Sequence, residues 1–220
     1  MRKSEQIRVL VVDDHPVVRF GLVAIIDAQP NMIVVAEAED GDRAVELYRR
    51  LKPDVALIDL QLPGMTGLEA IRAILREDPM GRVVVLTTYQ GEEDIHRALE
   101  AGAQGYVIKA MSHQILLKAI NTVWSGKRFV PEPVIQRLAL RTPNSDLTPR
   151  ESQVLGLIVN GKSNKEISKL LGITEGTVKC HVNVILARLG VSDRTQAAVA
   201  ALQRGIVHLD SSGTSQNRPS

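Results

Sequence analysis

The stretch Pro53-Asp-Val-Ala-Leu-Ile-Asp-Leu-Gln-Leu-Pro-Gly-Met-Thr-Gly67 decides the fold of this chain. It contains four consecutive apolar residues, Val55–Ile58, with turn-forming residues on both sides. An apolar run of this length predicts a strand that is buried on both faces, as in parallel sheets. Asp59 follows the run directly, so we expect its carboxylate at the carboxyl edge of a sheet, where open parallel sheets bind ligands.

A second apolar run, Ile7–Val12, ends in Asp13 and Asp14. If its strand lies beside the first, three carboxylates meet at one edge, and each pair repels by about 1 to 4 kcal/mol at 4 Å. One acid after a strand is explained by the N-cap of the next helix, but three at two strand ends are not. The cluster therefore predicts a cation, a shared proton or a function.

Apolar runs alternate with segments of helical spacing in the first part of the chain. The runs are Val9–Val12, Ile33–Ala36, Val55–Ile58, Val83–Leu86 and Tyr106–Ile108. Five strands alternating with five helices predict an α/β fold, a parallel sheet covered on both faces. Thr87 follows the fourth run and Lys109 the fifth, so both are expected at the edge that carries the acids.

Charge divides the chain into two parts. Residues 1–125 carry 14 Lys/Arg and 18 Asp/Glu, whereas residues 126–220 carry 13 and 7. A basic second part suggests nucleic acid as its partner. The single cysteine, Cys180, excludes an intrachain disulfide and fits a reducing compartment. No stretch reaches the roughly 18 apolar residues of a membrane span, and no signal peptide is recognised, so a cytoplasmic protein with no membrane partner is expected.

The first part resembles the receiver domain of two-component response regulators in Asp13-Asp14, Asp59, Thr87, Tyr106 and Lys109. The resemblance implies a flavodoxin-like, doubly wound sheet of strand order 2-1-3-4-5. It also implies a phosphoacceptor, Asp59, and a sensor histidine kinase as phosphodonor.

By the same resemblance, Asp14, Asp59 and the backbone carbonyl of Gln61 ligate Mg²⁺, with Asp13 assisting through water. Lys109 stabilises phosphoryl charge, unless it is a solvated surface lysine. Thr87 bonds a phosphoryl oxygen, and Tyr106 swings inward after it, unless Tyr106 is a half-buried strand aromatic without a switching role.

The second part reads as short helices. Thr148–Glu151 and Ser163–Glu166 are capping boxes, Gly172 ends a helix, and Thr174 and Asp193 begin the next two. Four helices, with the second and third joined by a glycine-containing turn, match a helix-turn-helix unit. The alternative is a helical bundle without a DNA function, but the charge of this half and the polar residues of the third helix argue against it. Those residues are Thr174, Thr177, Lys179, Asn183 and Arg188.

Residues 147–205 resemble the DNA-binding domain of NarL/FixJ (LuxR-type) regulators. The matching residues are Leu147–Glu151, Gly161–Ile167, Thr174–Lys179 and His181. By this resemblance Lys179, Cys180 and Asn183 face base edges, whereas Lys165, Thr174 and Thr177 hold phosphates of double-stranded DNA. In addition, the small residues Ala197, Ala198 and Ala201 suggest a dimer interface, and a homodimer would read two half-sites on the DNA.

The sequence thus predicts a receiver (1–125), a linker with a possible short helix (126–146), an all-α four-helix DNA-binding domain (147–209) and a disordered tail (210–220). The expected function is a transcriptional response regulator that is switched by Mg²⁺-dependent phosphorylation of Asp59, and no catalytic residues are assigned. Two alternatives remain open: a DNA binder with a vestigial receiver, and a Mg²⁺-dependent phosphatase-type enzyme. Gln61 argues against the enzyme, because such enzymes carry an acid two residues after the nucleophile.

Overall fold

The computed structural model describes residues 6–88, 91–141 and 147–208. These residues form two compact units that divide near residue 136, with Gly91–Asp94 grouped with the second unit. The predicted tail at 210–220 and the end of the predicted linker, 142–146, lie outside the described residues. The predicted linker helix is present as Glu132–Ala139 (α6 below). No helix in the described part of the chain is long and apolar enough to cross a membrane.

A five-stranded parallel sheet forms the centre of the first unit. Its strands are β1 (Ile7–Val12), β2 (Met32–Ala38), β3 (Val55–Ile58), β4 (Val83–Thr87) and β5 (Gly105–Ile108). The strand order is β2-β1-β3-β4-β5, and every neighbouring pair is parallel. The predicted α/β fold and strand order are confirmed. All four residues of β3 are buried, as its uninterrupted apolar sequence predicts for a central strand.

Five helices alternate with these strands. They are α1 (Pro16–Asp27), α2 (Gly41–Leu51), α3 (Gly67–Glu77), α4 (Glu92–Glu100) and α5 (His113–Trp124). The inward stripe of α5, which includes Leu116, Ala119 and Ile120, packs with apolar residues of β1, β3 and β4 in one core. The three- and four-residue spacing of these apolar side chains places them on one face of the helix, and that face is the buried one.

The loop after β3 is held against the start of α3. The backbone N–H of Gly67 donates to the carbonyl oxygen of Leu60 over 3.0 Å. A Cβ at position 67 would collide with the backbone carbonyl of Asp59, so only glycine allows this approach. Thr66 closes the turn with a capping box to Glu69. The backbone of the Asp59 loop is thereby fixed by local sequence.

The second unit is helical. After α6 (Glu132–Ala139) come α7 (Pro149–Val159), α8 (Asn164–Leu171), α9 (Glu175–Leu189) and α10 (Arg194–Gln203). The predicted capping boxes of Thr148 and Ser163 are both present, and Thr174 and Asp193 cap α9 and α10. Gly172 ends α8 in the left-handed conformation. The predicted helix-turn-helix is therefore α8 and α9 with the turn between them.

Two expectations about this unit need correction. Ala197 and Ala201 are fully buried in the unit's own core, so they are not available to a second copy of the chain. Small residues suit close helix packing within a domain as well as between domains. The exposed apolar residues of α10 are instead Val199 and Leu202. Arg188, expected on the polar face of α9, lies 3.2 Å from the buried carboxylate of Glu151, which α7 contributes.

Candidate metal centre and nucleic-acid interface

The parallel pairing of β1 with β3 brings the predicted acids together. Val12 pairs with Ile58, and the backbone N–H of Asp59 donates to the carbonyl oxygen of Val12 over 3.0 Å. The two strands therefore end level, and the next residue of each is an aspartate. Asp13 is 1% exposed and Asp59 3%, whereas the neighbouring Asp14 is half-buried.

Lys109 joins the two buried carboxylates. Its ammonium nitrogen Nζ lies 2.6 Å from Oδ2 of Asp59 and 2.7 Å from Oδ2 of Asp13. Its backbone N–H donates to the carbonyl oxygen of Thr87 over 2.8 Å, which fixes the start of the side chain at the end of β4. The side chain of Lys109 is only 11% exposed. The alternative of a solvated surface lysine is therefore wrong.

Burial and charge act in opposite directions on these groups. Burial raises the pKa of Asp59 above its usual value, although Lys109 and the backbone of Gln61 oppose the shift. Burial alone would lower the pKa of Lys109, but its hydrogen bonds to Asp13 and Asp59 outweigh burial and raise that pKa. The lysine is thus held charged, while the ionised form of Asp59 remains disfavoured in the fold.

The cluster suits a divalent cation. Ligand atoms of Asp13, Asp14, His15 and Asp59 all lie within 4.8 Å of one another. In the described part of the chain, Lys109 is the only lysine or arginine with a charged nitrogen within 4.0 Å of these three carboxylates. Three carboxylates against one ammonium leave an excess of negative charge, and carboxylate oxygens are ligands that Mg²⁺ prefers. The donor set therefore fits the predicted ion.

Gln61 lies against this cluster through its backbone. Its N–H donates to Oδ1 of Asp59 over 3.3 Å, which places the residue at the nucleophile predicted from the sequence. The role of its carbonyl oxygen as a metal ligand stays a prediction.

Thr87 and Tyr106 lie on the strands beside the cluster. Thr87 ends β4, the neighbour of β3, and is completely buried. Tyr106 lies on β5 and is also completely buried, so the half-buried placement is wrong. The structure records the inward position of this ring, and its movement on phosphorylation stays a prediction.

Two residues of the site were not identified from the sequence. The guanidinium of Arg19 donates to the backbone carbonyl of Asp13 over 2.5 Å and lies 3.4 Å from Glu37, so α1 and β2 together support the acid-bearing loop. Nothing in the sequence marks this contact. His15 lies with Nδ1 2.6 Å from Oδ1 of Asp14. The sequence does indicate this position, because Asp13, Asp14 and His15 are three consecutive residues of types that bind metals.

The predicted DNA contacts form an exposed face of the second unit. Lys165 lies on α8, Thr174 precedes α9, and the other four, Thr177, Lys179, Cys180 and Asn183, lie on α9. All six are exposed, whereas the opposite stripe of α9, with Val178, Ile185 and Leu189, is buried. The helical repeat thus separates a face for contact from a face for packing. That these residues bind DNA stays a prediction.

Other contacts fix the orientation of α8 and α9. The guanidinium of Arg150 donates to the carbonyl oxygen of Leu171 over 2.7 Å, at the end of α8. Arg194 donates to the side chain of Asn164 over 3.0 Å, and also to the carbonyl of Lys162, at the start of the same helix. Thr174 accepts a hydrogen bond from the backbone N–H of Thr177 over 3.1 Å, so its hydroxyl caps α9. These hydrogen bonds hold both ends of α8 and the start of α9 in place, and so fix the position of the exposed face.

Comparison with known protein families matches both units. Residues 9–121 match the response regulator receiver domain, and residues 145–201 match the luxR family of bacterial regulatory proteins. The two matches cover the strand-end cluster and the helix-turn-helix respectively.

Individual proteins match almost end to end. The chain is 41% identical to the transcriptional regulatory protein LiaR of Bacillus subtilis over 92% of this chain and 100% of LiaR. It is 38% identical to the nitrate/nitrite response regulator protein NarL of Escherichia coli K12, over 94% and 100%. A solved structure of two RcsB dimers bound to two parallel DNAs is similar with a TM-score of 0.66 and 28% identity, covering 90% of this chain and 99% of RcsB.

We predict that Asp59→Asn stabilises the first unit at pH 7.5 in the absence of divalent metal. A raised pKa means that the protonated carboxyl suits the fold better than the ionised one, so the contribution of Asp59 to stability is lost as pH rises through its folded pKa. The amide removes this cost. Urea denaturation followed by the fluorescence of Trp124, the only tryptophan, measures the free energy of unfolding of this unit.

The gain should shrink as pH falls through the folded pKa of Asp59. Mg²⁺ should stabilise the wild type and leave Asp59→Asn nearly unchanged, because a ligand stabilises the state that binds it. Asp42→Asn removes one exposed negative charge from α2 and serves as the control. A wild type as stable as Asp59→Asn without metal would contradict the prediction.

Proposed function

Because this chain belongs to the response regulators that join a receiver domain to a LuxR-type DNA-binding domain, we propose that phosphorylation of Asp59 controls its activity as a transcriptional regulator. Its full-length relatives are DNA-binding transcriptional regulators and not enzymes, so the phosphatase alternative is set aside. The phosphoryl group is proposed to come from a sensor histidine kinase. One observation carries the proposal: Lys109 bridges buried Asp59 and Asp13 at the edge where two strands end level.

Phosphoryl transfer makes one bond and breaks one. A carboxylate oxygen of Asp59 attacks phosphorus and forms an O–P bond, while the bond from phosphorus to the donor's histidine nitrogen breaks and that nitrogen keeps the electron pair. The product is a mixed anhydride at position 59. The ammonium of Lys109, 2.6 Å from the attacking carboxylate of Asp59, favours the ionised form and opposes the effect of burial on the pKa of that group.

The surroundings of Asp59 are proposed to hold the charge of the transferred group. Lys109 is positioned to pair with a phosphoryl oxygen once Asp59 is phosphorylated, because its ammonium already lies at that carboxylate. Thr87 is proposed to donate its hydroxyl to a second oxygen from the end of β4, and Tyr106 to follow it. Asp14, Asp59 and the carbonyl of Gln61, with Asp13 through water, would hold Mg²⁺, and the chemistry that the ion would supply is further positive charge at the phosphoryl oxygens.

DNA recognition is assigned to the exposed face of α8 and α9. Asn183 and Lys179 lie one helical turn apart on α9 and carry the groups that pair with adenine and guanine in the major groove. Cys180, between them, is exposed and is proposed to face the same groove. Lys165 and Thr177 are proposed to contact phosphates, and Thr174 to do so while its hydroxyl caps α9.

The active form is proposed to be a homodimer on double-stranded DNA, in keeping with the RcsB dimers seen on DNA. The protein is proposed to act in the cytoplasm, because bacterial DNA lies there. A vestigial receiver is the competing interpretation, but a chain that had lost phosphoryl chemistry would have no need to keep Asp59, Asp13 and Lys109 in contact.

Incubation of the full chain with Mg²⁺ and acetyl phosphate should add one phosphoryl mass at Asp59. Peptide mass spectrometry after borohydride reduction locates the adduct, because reduction converts an aspartyl-phosphate to homoserine. The adduct should be absent from Asp59→Asn and from samples that contain EDTA, and Asp54→Asn should retain it. An unmodified Asp59 in the wild type would overturn the proposed function.

Two substitutions on the DNA-binding face should act differently. Lys165→Ala should weaken binding to all sequences and lower the magnitude of the salt slope by about 0.9, the value for one phosphate contact. Asn183→Ala should keep the salt slope and lose discrimination at one base position, about 1–3 kcal/mol. Affinity measured across salt concentrations and across a randomised DNA pool separates the two. Identical behaviour of the two variants would contradict these assignments.

A further inference from the structure

The imidazole of His15 lies at the acidic cluster and has no capping role. His15 is the N-cap residue of α1, but its side chain makes no capping hydrogen bond. By contrast, Thr66, Ser163 and Asp193 each cap their helices through the side chain. Instead, Nδ1 of His15 lies 2.6 Å from Oδ1 of Asp14 and 3.5 Å from Oδ1 of Asp13. The ring therefore points at the acids rather than at the helix.

We propose that His15 gives the metal centre a nitrogen ligand, so that it binds divalent transition-metal ions such as Mn²⁺ with His15 in the coordination sphere. The inference rests on the proposed metal centre of Asp13, Asp14 and Asp59. It adds a ligand that the Mg²⁺ assignment does not use, since Mg²⁺ is held by oxygen atoms.

The geometry places nitrogen and oxygen donors around one point. One ligand atom from each of the four residues lies within 4.8 Å of the others. Ligands on opposite sides of a transition-metal ion are about 4.2 Å apart at bond lengths of about 2.1 Å, so only a small adjustment is needed. The backbone N–H of His15 also donates to Oδ1 of Asp13 over 2.9 Å, which fixes the start of the side chain beside that carboxylate.

The remaining contacts favour this role. Lys109 occupies the Oδ2 atoms of Asp13 and Asp59, so Oδ1 of Asp13 and Oδ1 of Asp14 face His15. The His15 side chain is 62% exposed and can turn without disturbing the core. Imidazole suits iron, nickel, copper and zinc in particular, and the affinity of a given site rises from Mn²⁺, the weakest binder of the series, to Cu²⁺.

Pulsed electron paramagnetic resonance tests the ligand directly. The full chain is loaded with Mn²⁺ alone, without a phosphodonor, and the spin-echo envelope is recorded for coupling to ¹⁴N. The wild type should show the coupling of a directly bound imidazole. His15→Asn should lose it, and His181→Asn, which changes a histidine of the second unit, should keep it.

Calorimetric titrations give a second readout. His15→Asn should weaken Mn²⁺ binding by about tenfold or more, because removing even a residue that only hydrogen-bonds to a metal ligand costs about that much affinity. The same substitution should change Mg²⁺ binding much less. Mn²⁺ binding to the wild type without ¹⁴N coupling would overturn the inference and leave the oxygen-ligated centre intact. Failure of the wild type to bind either ion would overturn both this inference and the metal centre of the proposed function.

Discussion

The site of this protein depends on the excess of negative charge where β1 and β3 end side by side. Parallel hydrogen bonding sets the two strands in register, and each is followed by a buried aspartate. Lys109, reaching from the end of β5, neutralises part of the charge and leaves the rest for a cation. A shift of any one of these strands by one residue would point its aspartate or lysine side chain to the other face of the sheet, and the three charged groups would no longer be in contact.

Contacts from neighbouring helices fix the backbone on which the two buried aspartates stand. Gly67 lets the start of α3 approach the backbone of Asp59, and Arg19 holds the carbonyl of Asp13 from α1. These contacts fix backbone atoms rather than side-chain ends. A reactive carboxylate that must meet a donor, a cation and a lysine gains from such support, because positioning is a large part of phosphoryl-transfer catalysis.

The sequence predicted most of the fold because its signals are local. Apolar runs marked the strands, and the caps at Thr148, Ser163 and Thr174 marked the helix starts of the second unit. Strand order and the roles of the acids came from resemblance to receivers, since no local signal specifies which strands pair. Ala197 and Ala201 were misassigned because small size is equally suited to a core and to an interface. The burial of Tyr106 and the partner of Arg188 depend on tertiary packing, which residue patterns do not encode.

The central claim is that phosphoryl transfer to Asp59 changes how the second unit binds DNA. Footprint sequencing of genomic DNA with the full chain, with and without acetyl phosphate in the presence of Mg²⁺, tests it most directly, with Asp59→Asn in parallel. The account predicts footprints that strengthen with the donor for the wild type and do not respond to it for the variant. Footprints of equal strength in all four samples would contradict it.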